Sequence, residues 1–477
     1  MTHTRSKRLL AGTLAVLACT AFSSALTLAA TPAAAAAGSA RGAFADAAPE
    51  RLAEYIHINT THPPGNESAG VEFFARIFDE AGIAYQTAES APGRGNIWAR
   101  LEGRGNAPAL VLLSHIDVVG ADPRYWSVDP FAGTIRDGYV WGRGALDMKG
   151  TGIAQLQAFL ALHASGKRLA RDVVFVATAD EEAGGAYGAG WLVENHPEIF
   201  AGAGFLLNEG GSGTILGGDT VFTVEVTQKV PLWLRLTAHG RPGHGSTPQA
   251  ATAVTRILRA GDRLANTSFA ARLIPPVQSM FEGMAPYAGD ELGPRFANIG
   301  NAVQDDEFLR YLQLTEPRMH ALLRNTCSIT RLAGSDKINV VPTEASMELD
   351  CRLLPDQNPD QFIAELATIV NDPNVGIEQI MGFTPAMSST DSPLYQLIEA
   401  LIHERMPGAQ VIPGVSTGFT DSHFFRDLGI ASYGFGAFVV PPEDGRSVHG
   451  NNERISVENM RAGTAFTIEL VERFATR

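Results

Sequence analysis

Three apolar runs in this chain end in groups that can bind a cation or move a proton. ALVLLS (109–114) leads into His115 and Asp117, DVVFVATA (172–179) into Asp180, Glu181 and Glu182, and GFLLN (204–208) into Glu209. Ionised groups at the ends of buried strands are costly unless they are paired or coordinate a metal. One imidazole among several carboxylates, with no thiolate, suits a borderline or hard divalent cation, zinc first. Asp117 stands two residues after His115, so on a strand both side chains share a face. From there Asp117 can accept the second ring N–H of His115 and fix its tautomer. Adjacent Glu181 and Glu182 point in different directions. One can bind a metal while the other takes a proton from water, the pairing that metal-assisted hydrolysis needs. GRGALDMKG (142–150) looks like a phosphate loop but reads G-x-G-x-x-D. An acid in place of the third glycine repels a pyrophosphate, so the glycines are read as a tight turn that projects Asp147 into the site.

The three runs are short, continuous and rich in Val and Leu, the pattern of strands buried on both faces of a sheet. Between the first two lies TGIAQLQAFLALHAS, a helix; ERLAEYIHI and ESAGVEFFARIFDEAG are helical before them. Strands alternating with helices predict an α/β fold, a mostly parallel central sheet flanked by helices. In such sheets functional groups collect beyond the carboxyl ends of the strands, where these acids stand. Near residue 222 the pattern changes. FTVEVT and LWLRLTAHG alternate as half-exposed antiparallel strands do, CSITRLAG and ASMELDCRLLP read as a hairpin, and TPQAATAVTRILRAGDRL and PDQFIAELATIV are helical. The expected organisation is a catalytic domain in two segments, 44–222 and 386–477, with a smaller α+β lid or dimerisation domain, 223–385, inserted between them.

Composition narrows the partners. The 477 residues are 45% hydrophobic and 18% charged, with a net charge of −14. That balance disfavours nucleic acid or an anionic membrane surface as the main partner and favours cations. Residues 1–37 read as a secretory signal peptide: Arg5, Lys7 and Arg8, then a diluted apolar stretch, then alanine-rich cleavage options. No membrane span is expected in the mature chain, and Cys19 fits a lipoprotein box poorly. Three cysteines exclude a disulfide scaffold. Cys327 and Cys351 fall near each other across the expected hairpin, where a bridge is geometrically conceivable; two reduced core cysteines is the reading favoured from sequence.

SHIDVV, GRGALDMKG, ATADEEAGG, LLNEGG, RPGHGSTP, KINVVPTEASMELDCRLLP, TDSHFF and SVHGNNERIS occur in one order across about residues 50–475. Together they resemble the di-zinc metallopeptidase family of aminoacylase, carboxypeptidase S, glutamate carboxypeptidase and succinyl-diaminopimelate desuccinylase. The NEGG motif and the long segment before GRGALDMKG lean toward the carboxypeptidase S and N-acyl-amino-acid hydrolase branch. The resemblance implies two zinc ions per subunit: His115 on one, Asp147 bridging both, Glu209 with the His115 zinc, and Glu182 and His449 on the second. It implies Glu181 as general base, Asp117 as the residue orienting His115, and a cis peptide at Asp147–Met148. It implies that His244, on the inserted domain, donates to the oxyanion, reaching across a homodimer formed through that domain. The activity it implies is cleavage, by water activated on the two zinc ions, of a C-terminal peptide bond or N-acyl amide beside a free α-carboxylate.

For that carboxylate Arg352 is the candidate, because an arginine fork matches it bidentately, with Asn339 assisting. Gly418, Thr420 and Asp421 read as a substrate-side loop. Runner-up readings are an amidase or esterase on other substrates and a metal-holding protein that has lost catalysis. The acyl or side-chain preference is expected to lie in the loops around 281–300 and 412–440.

Overall fold

The computed structural model describes residues 41–477; the signal-peptide and Cys19 readings lie outside the described residues. A nine-stranded sheet forms the larger unit. In spatial order its main path runs Tyr85–Glu89, Gly95–Leu101, Val173–Thr178, Ala109–His115, Ala203–Asn208, Ala431–Gly434, Asp219–Gln228 and Gln410–Ser416, with Gly213–Leu216 on Asp219–Gln228. The four central strands are parallel and the margins mixed.

The apolar runs explain this placement. Ala109–His115 is buried along its whole length. Its Leu110 and Leu112 enter one core with the helices Ala48–Ile56, Glu67–Ala81, Lys149–Ala164, Pro393–Arg405 and Val457–Ala475. Val111 and Leu113 enter a second core on the opposite face with Ala189, Leu192 and Phe425. A strand covered on both sides has no face left for polar residues, hence the unbroken hydrophobic run. Lys149–Ala164 is the innermost helix, buried from Lys149 to Leu162, which is why it lacks the polar stripe of a surface helix.

Residues 230–382 hold a second, four-stranded antiparallel sheet, in the order Thr326–Ala333, Glu344–Leu353, Val230–His239, Val375–Gly382. Leu232, Leu234 and Leu236 face the helices Ala253–Ala265 and Pro359–Val370. The alternate residues, Trp233 and Arg235 among them, stand on the open face. FTVEVT, read from sequence as the start of the insertion, belongs instead to the large sheet. Asp219–Gln228 pairs in parallel with Gln410–Ser416, and the polar residues that made it look half-exposed are satisfied internally. Glu225 pairs with buried Arg426 at 2.6 Å, and Thr227 Oγ1 donates to the Ala386 carbonyl. The crossing between the two sheets falls at Lys229, whose buried Nζ donates to the Ala321 and Arg324 carbonyls. Burial, with the Arg352 charge adding to it, lowers its pKa to about 7. No described helix is long and apolar enough to cross a membrane.

Cys327 and Cys351 are directly opposed in the antiparallel register and are joined by a disulfide, Cα to Cα 4.0 Å. The reduced pair favoured from sequence is therefore corrected: residues directly opposed in an antiparallel ladder present their side chains on one face, next to each other.

Candidate metal centre and active site

The ends of the three central strands, two loops and the Asp147 turn converge on one cluster. His115 closes its strand, and its Nε2 lies 3.2 Å from Asp147 Oδ1, 3.6 Å from Glu209 Oε2 and 4.0 Å from Glu181 Oε2. On the other side of Asp147, His449 Nε2 is 3.0 Å from its Oδ2 and 3.1 Å from Glu182 Oε2. One carboxylate thus spans two imidazole-led groups. The Asp147–Met148 peptide is cis. Glu209 leaves the Ala203–Asn208 strand into Gly210 and Gly211. Gly434 is required beside it, since a Cβ there would fall 2.0 Å from the Glu209 carbonyl oxygen.

Asp117 acts differently from its sequence reading. His115 Nδ1 is 2.9 Å from the Asp117 main-chain carbonyl and 3.6 Å from its carboxylate. The carboxylate instead accepts the main-chain N–H groups of Glu181 and Glu182, at 3.2 and 3.1 Å. Asp117 therefore fixes the His115 ring through its backbone and the two adjacent acids through its side chain. Asp180, in the left-handed region at φ 71°, is gripped by Arg94 at 2.6 Å and accepts the Tyr187 N–H, which completes the turn that aims Glu181 inward.

The electrostatics follow from packing acids together out of water. Burial, then the charge of Glu209, push Glu181 well above the carboxylate range. Burial and the Asp147 charge raise Glu209 to about 7. Burial would raise Asp147 too, but hydrogen bonds with His115 and His449 outweigh it and hold its carboxyl down. His449, bonded to Asp147 and Glu182, rises to about 10. Oε1 of Glu182 is buried with no hydrogen-bond partner among the described residues. An orphaned carboxylate oxygen inside a set of two imidazoles and several carboxylates is what a divalent cation would satisfy, so the residues fit a metal.

The cluster opens into a cavity of about 690 Å³. Asp147, Glu181, Glu182, Glu209 and His449 line it, as do Arg352, Gly418 and Thr420. Arg352 stands on the open face of the smaller sheet. Its Nε and Nη2 are held by Asp350 at 2.8 and 3.3 Å, and Asp350 also accepts the Trp233 indole N–H at 3.1 Å. Nη1 is buried and unpartnered. Phe419, Phe438, Val440, Pro441 and Pro442 supply an apolar wall, and Arg318, which sequence reasoning passed over, adds a second cation. The 412–440 loops thus contribute to the cavity. Residues 281–300 do not: they form helices whose Phe281, Phe296 and Ile299 pack with Ile412 and Val415 of the edge strand.

Other expected site residues are elsewhere. His244 is exposed on a short ladder with Val340, its Nδ1 accepting from Ser246. Exposed Asn339 is its neighbour, its carbonyl accepting the Gly245 N–H at 2.8 Å. Neither lines the cavity. Asp421 lies behind the site, buried, accepting from Thr178 Oγ1 at 3.2 Å. His423 stacks on Phe383 with ring centroids 3.6 Å apart and does not reach the cavity.

A parallel-centred sheet whose strand ends converge on two histidines and a set of buried carboxylates able to hold metal ions is the architecture of a metal-dependent hydrolase. The family model for "Peptidase family M20/M25/M40" matches residues 111–473. The chain is 33% identical over 383 residues to the N-fatty-acyl-amino acid synthase/hydrolase PM20D1 of Xenopus tropicalis, covering 78% of this chain and 73% of that one. It is 29% identical over 432 residues to aminoacylase-1B of Rattus norvegicus, covering 89% and 94%. The fold matches the M20 family metallo-carboxypeptidase Sso-CP2 from Sulfolobus solfataricus with a TM-score of 0.68 at 20% identity, over 89% of this chain and 98% of that one. The chain belongs to the M20 peptidase family.

Proposed function

We propose that the protein is a two-zinc amidohydrolase that cleaves a C-terminal peptide bond or an N-acyl amide beside a free α-carboxylate. The observation that carries the reading is a single cavity lined by both the histidine–carboxylate cluster and Arg352. His115, Asp147 and Glu209 would hold one ion, and His449, Glu182 and Asp147 the other. When bound, the ions supply Lewis acidity and make water a nucleophile near neutral pH. Glu181 accepts the proton of the attacking water and returns it to the leaving nitrogen, a task that suits a carboxylate whose pKa is raised by burial. Arg352, its fork pre-set by Asp350 and Trp233, takes the substrate carboxylate and fixes which amide faces Glu181. The apolar wall of Phe438, Val440 and Pro441 receives the acyl group or side chain.

His244 and Asn339, exposed and not part of the lining of their own cavity, are assigned to the cavity of a second subunit in a homodimer formed through the inserted domain. The disulfide supports export, since such bonds persist in oxidising compartments. The test of the function is a hydrolysis screen over N-acyl amino acids, dipeptides and their carboxamides, with chelator and with restored zinc. Zinc-restorable hydrolysis confined to the free acids is the expected result. Turnover indifferent to chelation, or equal on acids and carboxamides, would sink the proposal.

A further inference from the structure

We propose that Glu453 is a positioning residue that locks the Asp147 turn to the His449 loop and thereby sets the affinity of one metal position apart from the other. The inference rests on the two-metal reading above and concerns residues that it leaves without a role.

Glu453 is fully buried, and its carboxylate is saturated by the turn that presents Asp147. Oε2 accepts from Arg143 Nη1 at 2.6 Å and from the Gly144 N–H at 3.1 Å. Oε1 accepts from the N–H groups of Leu146 at 2.7 Å and Asp147 at 3.1 Å. Its own carbonyl accepts the Gly142 N–H at 2.9 Å. A carboxylate has about four acceptor positions, and here all are filled by one loop. Arg143 closes the circle. Its Nη2 donates to the Gly450 carbonyl at 2.6 Å, next to His449. Its guanidinium lies over the Trp126 ring at 5.3 Å. His449 and Asn452 both sit in the left-handed region, at φ 58° and 60°, which fixes a tight turn between them.

The two metal positions differ in what holds them. His115 ends one strand of the large sheet and Glu209 follows another, so the sheet fixes both, and no polar contact of Glu453 reaches either. The other position depends on His449, which is half-exposed on a loop, and on Glu182, which Asp117 holds through its N–H. The Arg143–Glu453 pair is the link that keeps His449 and Asp147 in one geometry. Its loss therefore falls on the His449–Glu182 position first. The shared Asp147 passes only a smaller loss to the other.

The test titrates the metal-free protein with zinc against a chromophoric chelator, without substrate. Wild type is expected to bind two ions. Glu453→Gln keeps the shape but loses the charge facing Arg143 and presents N–H groups to N–H groups. It should hold the first ion within about threefold and weaken the second by about 10–100-fold, the usual range for a group supporting a ligand. Arg143→Lys, which keeps the charge but loses the Gly450 contact, should show the same asymmetry more weakly, and carries the test if Glu453→Gln does not fold. Equal weakening of both sites, or a lowered Tm with both affinities unchanged, would reduce Glu453 to a packing role and overturn the inference. So would a wild-type chain that binds one ion. A wild-type chain that binds two ions yet hydrolyses neither N-acyl amino acids nor dipeptides would remove the proposed function and leave this inference standing.

Discussion

The Cys327–Cys351 bridge offers a prediction whose size can be worked out. Thr326–Ala333 is an edge strand: among the described residues it pairs only with Glu344–Leu353, and residues 328–333 are exposed. Little besides one ladder and the disulfide holds it. The bridge closes a segment with a sequence separation of 24. The chain-entropy relation for a loop of that length gives about 3.5 kcal/mol of stabilisation against local opening, or roughly a 300-fold change in the opening equilibrium. The perturbation is mild reduction, or the double change Cys327→Ala with Cys351→Ala. The assay is amide hydrogen exchange read on peptides covering residues 326–333 and, as a reference, 109–115. Exchange in the edge strand should accelerate by two orders of magnitude or more, while the buried Ala109–His115 strand is unchanged. Glu344–Leu353 stays paired along its whole length with Val230–His239, so Arg352 should keep its place and KM should move less than about threefold. Edge-strand exchange equal in oxidised and reduced protein would refute the argument, because the bridge would then restrain nothing that the ladder does not.

Three further outcomes are expected. Glu181→Gln should retain both metals and lose about 10²–10⁴-fold in kcat, since glutamine cannot accept the proton; near-normal turnover would remove Glu181 from its role. Arg352→Ala should raise KM for a free-acid substrate far more than for its carboxamide, by about 2–3 kcal/mol or some 30- to 150-fold for a lost charge-assisted hydrogen bond, whereas equal losses on both would make Arg352 structural. His244→Ala and Glu181→Gln subunits, each inactive alone, should regain activity on mixing if His244 serves a neighbouring cavity, and no recovery after verified subunit exchange would confine His244 to its own chain.

The local signals of the large sheet could be read directly. Unbroken apolar runs ending in acids located the strand ends and, with them, His115, Glu181, Glu182 and Glu209. Periodicity misplaced FTVEVT, because alternation records polarity and not exposure, and Glu225 is polar but buried against Arg426. The two-residue spacing of His115 and Asp117 does not reveal the partners of the Asp117 carboxylate. The Glu181 and Glu182 N–H groups come to it only because the strands at 109 and 173 are neighbours in register. Glu453 and Arg143 both lay inside noted motifs, but no local pattern shows that residues so far apart in the chain are bonded. Hairpin register sets Cys327 opposite Cys351, but spacing carries no information about their redox state.

The order in which the strands are laid down bears on how the chain is made. Ala431–Gly434 fills the gap between Ala203–Asn208 and Asp219–Gln228, strands synthesised some two hundred residues earlier. Until it arrives, the Ala203–Asn208 strand has a bare hydrogen-bonding edge flanked by Leu206 and Leu207. An unpaired apolar edge is a template for association with other chains. The half-made protein is therefore its own most dangerous partner, and chains truncated before residue 431 should aggregate rather than fold as smaller versions of the sheet.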